Sequence, residues 1–408
     1  DVCAAPPAAA HVSVGEQGDL AFRAWDASAS GGAAASAAAS SPSGRVPAPA
    51  ALGSDGAAAT GAGGAWVVGP DAYAPGTVGG KSQGLASLAA LAADASGPAA
   101  VEGACVPPSV ALPFGGFERA LAADPVAGDE LREALEEASA AHEAGDKAAL
   151  SNALAGARAA VEALELPAEL EDELGAAAEG LGAFDGGAPG DALDDAGLDD
   201  LLGAVKQVWA SQWTERAFLS RRAMGWAEGD LRMAALVMPL VPAEYAFVLH
   251  THDPVSGDAG RVFGEVCVGL GEALVGNEPG RALSFAYDKA SGEAEILALP
   301  SKPWAHAAPG GGAPALIARS DSNAEDLEGF AGAGLYDSVV AGPGGARPLV
   351  EYAEEPLFWD PAFQADLAAR LGRLGAALEA AAGRAQDAEG ALRGGRAFLL
   401  QSRPQILP

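Results

Sequence analysis

Cations are scarce in this chain. Its 408 residues include 24 Lys and Arg against 55 Asp and Glu, a formal charge of −31. A surface so acidic excludes the basic footprint that nucleic acid requires, and anionic membrane surfaces repel it. It also gives weight to any Lys or Arg standing among glycines, because an anion site here must draw on few residues. Cysteine is rarer still. Cys3, Cys105 and Cys267 are too few and too scattered for a disulfide framework or a zinc site, which fits a reducing compartment. No apolar run approaches the roughly 20 residues that a spanning helix needs, so a soluble chain without a membrane span is expected. The sequence opens on Asp1 without a charged n-region and apolar h-region, and reads as a fragment or processed product. Half of the residues are hydrophobic, enough in this length for two or more domains.

What is present is most concentrated between Arg319 and Ser338. Ala315-Leu316-Ile317-Ala318 reads as a short buried strand ending in Arg319. Ser320, Asp321, Ser322 and Asn323 follow, then an acidic cluster, then Gly329, Gly332 and Gly334. An arginine fork beside a glycine loop suits a polyphosphate, since glycines let backbone N–H groups approach phosphate oxygens. The same residues also suit a glycine-softened surface turn, and the stretch by itself leaves both readings open.

A second cation stands among glycines in Gly76-Thr-Val-Gly-Gly-Lys-Ser82. A P-loop would need Gly six residues before the lysine, where this chain has Pro75, and no apolar strand ends immediately before it. Leu85, Leu88 and Leu91 mark a helix after it, so Lys81 stands at a helix N-terminus, a natural anion site. The alternative is a helix cap with a solvated lysine. Near the C-terminus, Asp387 and Glu389 alternate along one strand and Gln401 and Arg403 along another, with a Gly394-Gly395 turn between them. The pair predicts an antiparallel hairpin with acids facing Gln and Arg. Such oxygen ligands beside an arginine suit Mg²⁺-bridged phosphates, or else form a cross-strand salt bridge worth under about 1 kcal/mol when exposed.

Elsewhere the pattern is structural. Ala10 to Phe22 alternates around a glycine turn and predicts one hairpin. Residues 27–64 are Ala, Gly, Ser and Pro with few large apolar groups, the composition of a flexible linker. Ala65 to Val68 reads as a strand, and Val106 to Gly115 as extended chain. From Phe117 to about Leu201 the spacing is helical, with an acidic loop near 182–200. Trp209, Trp213 and Ala217 share one face of an amphipathic segment and belong to a core. Met233–Val241 and Tyr245–His250 read as strands joined through Pro242-Ala-Glu244; His250 and His252 have no third ligand nearby and read as structural.

The whole of Arg319–Ser338 is similar to the arginine-serine and glycine-loop segment of the α-glucan, water dikinase family. That family lies within the wider group of pyruvate, phosphate dikinase and phosphoenolpyruvate synthase. The resemblance runs from Trp66 to Pro408 and is anchored at Lys81, Arg319–Ser338 and Asp387–Arg403. In pyruvate, phosphate dikinase the arginine-serine segment precedes the hinge strands, whereas here it follows them, as in the glucan family. Departures are Ala324 for Gly, Phe330 for Tyr, and Met238-Pro239 at a hinge where relatives have Gln-Glu. The proline there removes one backbone donor toward adenine.

The resemblance implies an α+β fold: an ATP-grasp-like nucleotide-binding domain over 65–408 with a helical insertion at about 117–205. Residues 1–26 would be the C-terminal remnant of a swivelling phosphohistidine domain, tethered by 27–64. Its phosphoacceptor histidine would precede Val2-Cys3, which leaves His11 as a strand residue. The implied cofactors are ATP and Mg²⁺. Lys81 and Arg319 would be catalytic; Lys81, Arg319, Glu272, Gln401 and Arg403 would contact ATP; Asp387, Glu389 and Gln401 would hold the metal. Glu265 and Gly269–Gly276 resemble elements lining the family's nucleotide cleft. The implied activity passes the β-phosphate of ATP through a phosphohistidine to glucosyl units of starch, releasing AMP and phosphate. Its partners would be α-glucan such as amylopectin, the upstream phosphohistidine domain and, as an allowed assembly, a second copy of the chain. Its compartment would be the plastid. A dikinase with pyruvate or another small acceptor, and a non-catalytic ATP-binding fragment, are the rival readings.

Overall fold

The computed structural model describes residues 10–14, 20–24, 64–93, 103–181, 193–276, 278–309, 315–325, 332 and 334–407. The chain divides into two units, Asp1–Arg45 and Val46–Pro408. In the first, strands β1 (Ala10–Val14) and β2 (Leu20–Ala24) pair antiparallel from Ala10↔Ala24 to Val14↔Leu20, the expected hairpin, with His11 in β1. The expected linker lies, but for Gly64, outside the described residues.

In the second unit a 3₁₀ turn (Pro70–Ala72) precedes helix α1 (Gly80–Ala93) and strand β3 (Val110–Leu112). Five helices then fill the span where helical spacing is continuous: α2 (Gly116–Ala123), α3 (Pro125–Ala144), α4 (Lys147–Glu162), α5 (Ala168–Leu181) and α6 (Asp195–Ala210). Their ends are written locally. Asp124 caps α3 through Ala127 N with Pro125 at its first position; Gly145 closes it in the left-handed conformation; Asp146 caps α4 at once. Helix α7 (Glu215–Met224) follows a single 3₁₀ turn, Ser211–Trp213.

That turn corrects one expectation. Val208–Phe218 is not one amphipathic helix, because Thr214 leaves the helical conformation and caps α7 through Ala217 N. The face survives the break. Trp209, Trp213 and Ala217 are all buried, and both tryptophans pack on Phe117 at ring-centroid distances of 5.5 and 5.7 Å. Ala65–Val68 is a second correction: it forms only one bridge, Val68 to Ala111, and no strand.

The remaining elements are β4 (Met233–Pro239), β5 (Tyr245–His250), β6 (Arg261–Val268), α8 (Glu272–Val275), β7 (Leu283–Asp288), β8 (Ala294–Ala298), β9 (Leu316–Ser322), β10 (Ser338–Val340), α9 (Pro356–Trp359), α10 (Pro361–Ala382), β11 (Gln386–Arg393) and β12 (Arg396–Pro404). They complete two antiparallel sheets, ordered β10-β9-β4-β3 and β12-β11-β5-β6-β7-β8. The α+β class is thus observed. The first sheet shares a core with the helices, in which Leu112, Trp209, Phe218, Ala235 and Ala318 are buried together. The second packs one face on α10, whose Leu367, Leu371 and Leu374 meet Phe247, Leu249 and Phe285. β4 and β5 belong to different sheets, so Leu240–Glu244 crosses from one to the other. Among the described residues no helix is long and apolar enough to cross a membrane.

Candidate functional site

Because side chains alternate along a strand, the face of the second sheet turned away from α10 carries a different set of residues. Strand register aligns Gln401, Glu389, Val248, Glu265 and Ser284 in one row, and Arg403, Asp387, His250 and Phe263 in the next. Glu389 and Glu265 are two strands apart, roughly 10 Å. Ser284 Oγ donates to Glu265 Oε1 at 3.2 Å. Arg403 is ion-paired with Asp387, Nε and Nη2 each 2.9 Å from Oδ2, while His250 Nδ1 stands 3.7 Å from Asp387 Oδ1. Acid therefore faces arginine across the hairpin, as the alternation of the two strands predicts.

Between the sheets lies a cavity of about 190 Å³. Met238, Leu240, Ala246, Ile317 and Leu400 give it apolar walls; Arg319, Glu272, Ser338 and Glu389 give it polar borders. Small-molecule sites commonly span ~300–1,000 Å³, so this cavity has room for a planar ring system, with the rest of a larger ligand outside it. The crossing segment Leu240–Glu244 contributes to its wall. So does Glu272, which opens α8 after Gly269, a left-handed residue whose backbone bridges to His306.

Arg319 connects the two sheets. Flanked by Leu236 and Ser338 in the first, it donates from Nη1 to Leu400 O at 2.9 Å and from Nη2 to Gln401 Oε1 at 2.8 Å in the second. The strand does not end at Arg319 as expected but runs on through Ser322, and the extra residues organise the second cation. Lys81 Nζ donates to Ser320 O at 2.8 Å, Ser320 Oγ at 3.1 Å and Glu325 Oε1 at 2.5 Å, so all three ammonium hydrogens have partners. Glu325 is buried and also accepts from Ser322 N at 3.1 Å.

Thus Arg319, Glu272 and Glu389 border one cavity, and Gln401 joins them through Arg319. Lys81 is anchored one residue from Arg319, on Ser320, and does not border the cavity. Asp387 and Arg403 sit one row away, engaged with each other. Among the described residues no three His, Cys, Asp or Glu side chains converge into a metal cage. His250 and His252 each face a carboxylate, Asp387 and Glu379, in keeping with a structural role. Residues 326–331, including Gly329, lie outside the described residues, while Gly332 and Gly334 are both left-handed.

Two acids escaped the sequence reading. Asp321 is buried against the start of α1, and Glu325 is the counter-ion of Lys81. Both lie within the Arg319–Ser338 stretch, and their signal was faint: two acids in a segment that otherwise reads as a strand end followed by a loop.

Comparison with known proteins adds a second line. Residues 191–288, which include β4 to β7, match the pyruvate phosphate dikinase, AMP/ATP-binding domain family. The chain is 38% identical over 347 residues to a chloroplastic alpha-glucan water dikinase of Solanum tuberosum, covering 84% of this chain and 22% of that protein. It is 39% identical over 307 residues to the chloroplastic alpha-glucan water dikinase 1 of Arabidopsis thaliana, covering 74% and 20%. A probable phosphoenolpyruvate synthase of Archaeoglobus fulgidus is 27% identical over 214 residues, covering 52% and 23%. The chain spans about a fifth of the length of these curated relatives.

Proposed function

We propose, for a chain related to the alpha-glucan water dikinases and carrying a pyruvate phosphate dikinase AMP/ATP-binding domain, that it is the ATP-binding part of such a dikinase. One observation carries the reading. Residues from three separate motifs, Glu272, Arg319 and Glu389, border a single apolar cavity between two sheets. In this reading the sheets close on the nucleotide in the ATP-grasp manner, with Leu240–Glu244 as hinge and the helices within 117–205 as an insertion. Adenine takes the apolar cavity. The phosphates run toward Arg319, Lys81 and Arg403, whose charge offsets what accumulates on the transferred group.

Mg²⁺ fits this donor set. The ion is commonly held by one or two carboxylates together with phosphate oxygens, not by an all-protein cage. Glu389, with Asp387 in the adjacent row and the amide oxygen of Gln401 opposite it, offers that number of hard oxygens. Held by these residues, the ion would supply charge neutralisation to the phosphates. The chain's own part is to hold the nucleotide, orient it and keep water from the ring.

The relatives' names mention an alpha-glucan, water, a dikinase and the chloroplast and nothing more; the route through a phosphohistidine is what the family resemblance implies. The β-phosphate passes to glucosyl units of an α-glucan through a phosphohistidine outside this stretch, in the plastid. Residues 1–26 are then the end of the phosphohistidine domain, and 27–64 its tether. The chain alone is expected to bind Mg-ATP without phosphorylating glucan. Incubation with β-labelled ATP and amylopectin, beside a direct measurement of Mg-ATP binding, tests this. Absence of binding overturns the ATP reading, and label entering the glucan overturns the division of labour.

A further inference from the structure

The N-terminus of α1 is an anion site, and the chain supplies the anion itself. Asp321, fully buried in β9, accepts from Gly79 N at 2.9 Å through Oδ2 and from Lys81 N at 2.9 Å through Oδ1. It also accepts from Ser82 N at 3.3 Å and from Ser82 Oγ at 2.6 Å. These are the donors that a phosphate at a helix N-terminus would take. They are consumed by the fold, so what the segment offers a nucleotide is the charge of the Lys81 ammonium, whose own hydrogens rest on Ser320 and Glu325 until a phosphate draws one away.

The seat is close-fitting. A Cβ on Gly79 would lie 2.4 Å from Asp321 O and 2.5 Å from its Oδ1, so only glycine permits this approach. Burial pushes the Asp321 carboxyl above its ordinary range, against the Ser82 hydrogen bond and the Lys81 charge that favour its ionised form. The neighbouring residue completes the grip: Ser320 holds the Lys81 ammonium by its carbonyl and hydroxyl oxygens. One strand therefore fixes Lys81 twice, by its main chain through Asp321 and by its head group through Ser320. Arg319 is the next residue along.

We infer that Asp321 is a positioning residue for phosphate recognition: it seats the first turn of α1 on β9 and so sets where the Lys81 ammonium stands relative to Arg319. This rests on the reading that the chain binds Mg-ATP through those two cations. Asp321 itself does not touch the nucleotide. Its whole effect on affinity passes through Lys81.

A double-mutant cycle read by isothermal titration with Mg-ATP, on the full chain, tests this. Asp321→Asn keeps the shape but turns one acceptor oxygen into a donor against N–H groups, and Lys81→Ala removes the ammonium. Each single variant is expected to weaken binding about tenfold, and the double variant no more than Lys81→Ala alone. If Asp321→Asn does not fold, Ser82→Ala, which removes only the hydroxyl donor, takes its place. Its loss is expected to be two- to fivefold, in order of magnitude, and to vanish in the Lys81→Ala background. Losses that multiply in the double variant overturn the inference. So does unchanged affinity in the Asp321 or Ser82 variant while Lys81→Ala weakens binding; in both cases the ATP reading stands. A wild-type chain that binds no Mg-ATP overturns both.

Discussion

Replacing Arg319 by alanine should damage two properties at once. Its guanidinium donates to Leu400 O and Gln401 Oε1, the bonds that tie the first sheet to β12. The carbonyl needs that donor for a topological reason. The β11–β12 register shifts between Glu389, opposite Gln401, and Gly390, opposite Leu399, so Leu400 is the extra residue of a bulge and stands outside the paired register. Hydrogen bonds to a charged group are worth ~1.5–3 kcal/mol each, and partial exposure puts both bonds at the low end, so Arg319→Ala should cost roughly 2–3 kcal/mol of stability. If Arg319 also contacts phosphate, one lost charged bond weakens Mg-ATP binding by about 10- to 150-fold. Arg319→Lys keeps the charge without the planar fork and should recover part of the affinity but little of the inter-sheet tie. Urea unfolding reads the first effect and calorimetric titration the second. Lowered stability with unchanged affinity would make Arg319 a strut and remove it from the binding site. An unchanged unfolding midpoint would mean that the two bonds contribute nothing.

Two further outcomes depend on buried chemistry away from the cavity border. Burial pushes the Cys267 thiol up to about 12, so iodoacetamide at pH 8 should leave Cys267 unmodified in the folded chain and label it only after unfolding; rapid native labelling, read by mass spectrometry, would contradict its placement. Glu379 is subject to burial, which raises its pKa, but Lys289, at 2.7 Å, a hydrogen bond from Thr251 and the nearby His252 together outweigh that and hold the carboxyl below its ordinary value. The resulting stability is fully present above the ordinary glutamate range and is lost as pH falls through the depressed value. Glu379→Gln should therefore lower stability at pH 7 and flatten the acid limb of the stability–pH curve. An acid limb as steep as that of the wild type would place the effect elsewhere.

Much of the candidate site was legible because its signals are local. Alternation alone put Asp387 with Glu389 and Gln401 with Arg403, and the Gly394-Gly395 turn, both residues left-handed, set them opposite one another. The tryptophan face was readable for the same reason. What could not be read was which distant segments meet. β4 and β5 are consecutive strands, yet they enter different sheets, and only tertiary packing decides that. The seat of Asp321 on Gly79 and Lys81 joins residues 242 and 240 positions apart, so no periodicity announces it. Lys81 was legible as an anion-seeking cation at a helix start; that the N-terminus is already filled by a carboxylate was not. The expected Ala65–Val68 strand failed because apolar residues signal burial and not pairing: Val68 is buried with one bridge to Ala111, and Trp66 is buried with its backbone N–H donated to Glu173 and Arg119 over its ring.

If the cavity between the sheets holds adenine, a photoreactive 8-azido analogue of ATP should mark it directly. Labelling the chain in the presence of Mg²⁺, followed by peptide mapping, should place the adduct on Met238–Ala243 or Leu270–Val275, with protection by unlabelled ATP. Protected adducts found instead in the groove between α1 and α10, on Gln83, Leu378 or Gln405, would contradict a nucleotide site between the two sheets.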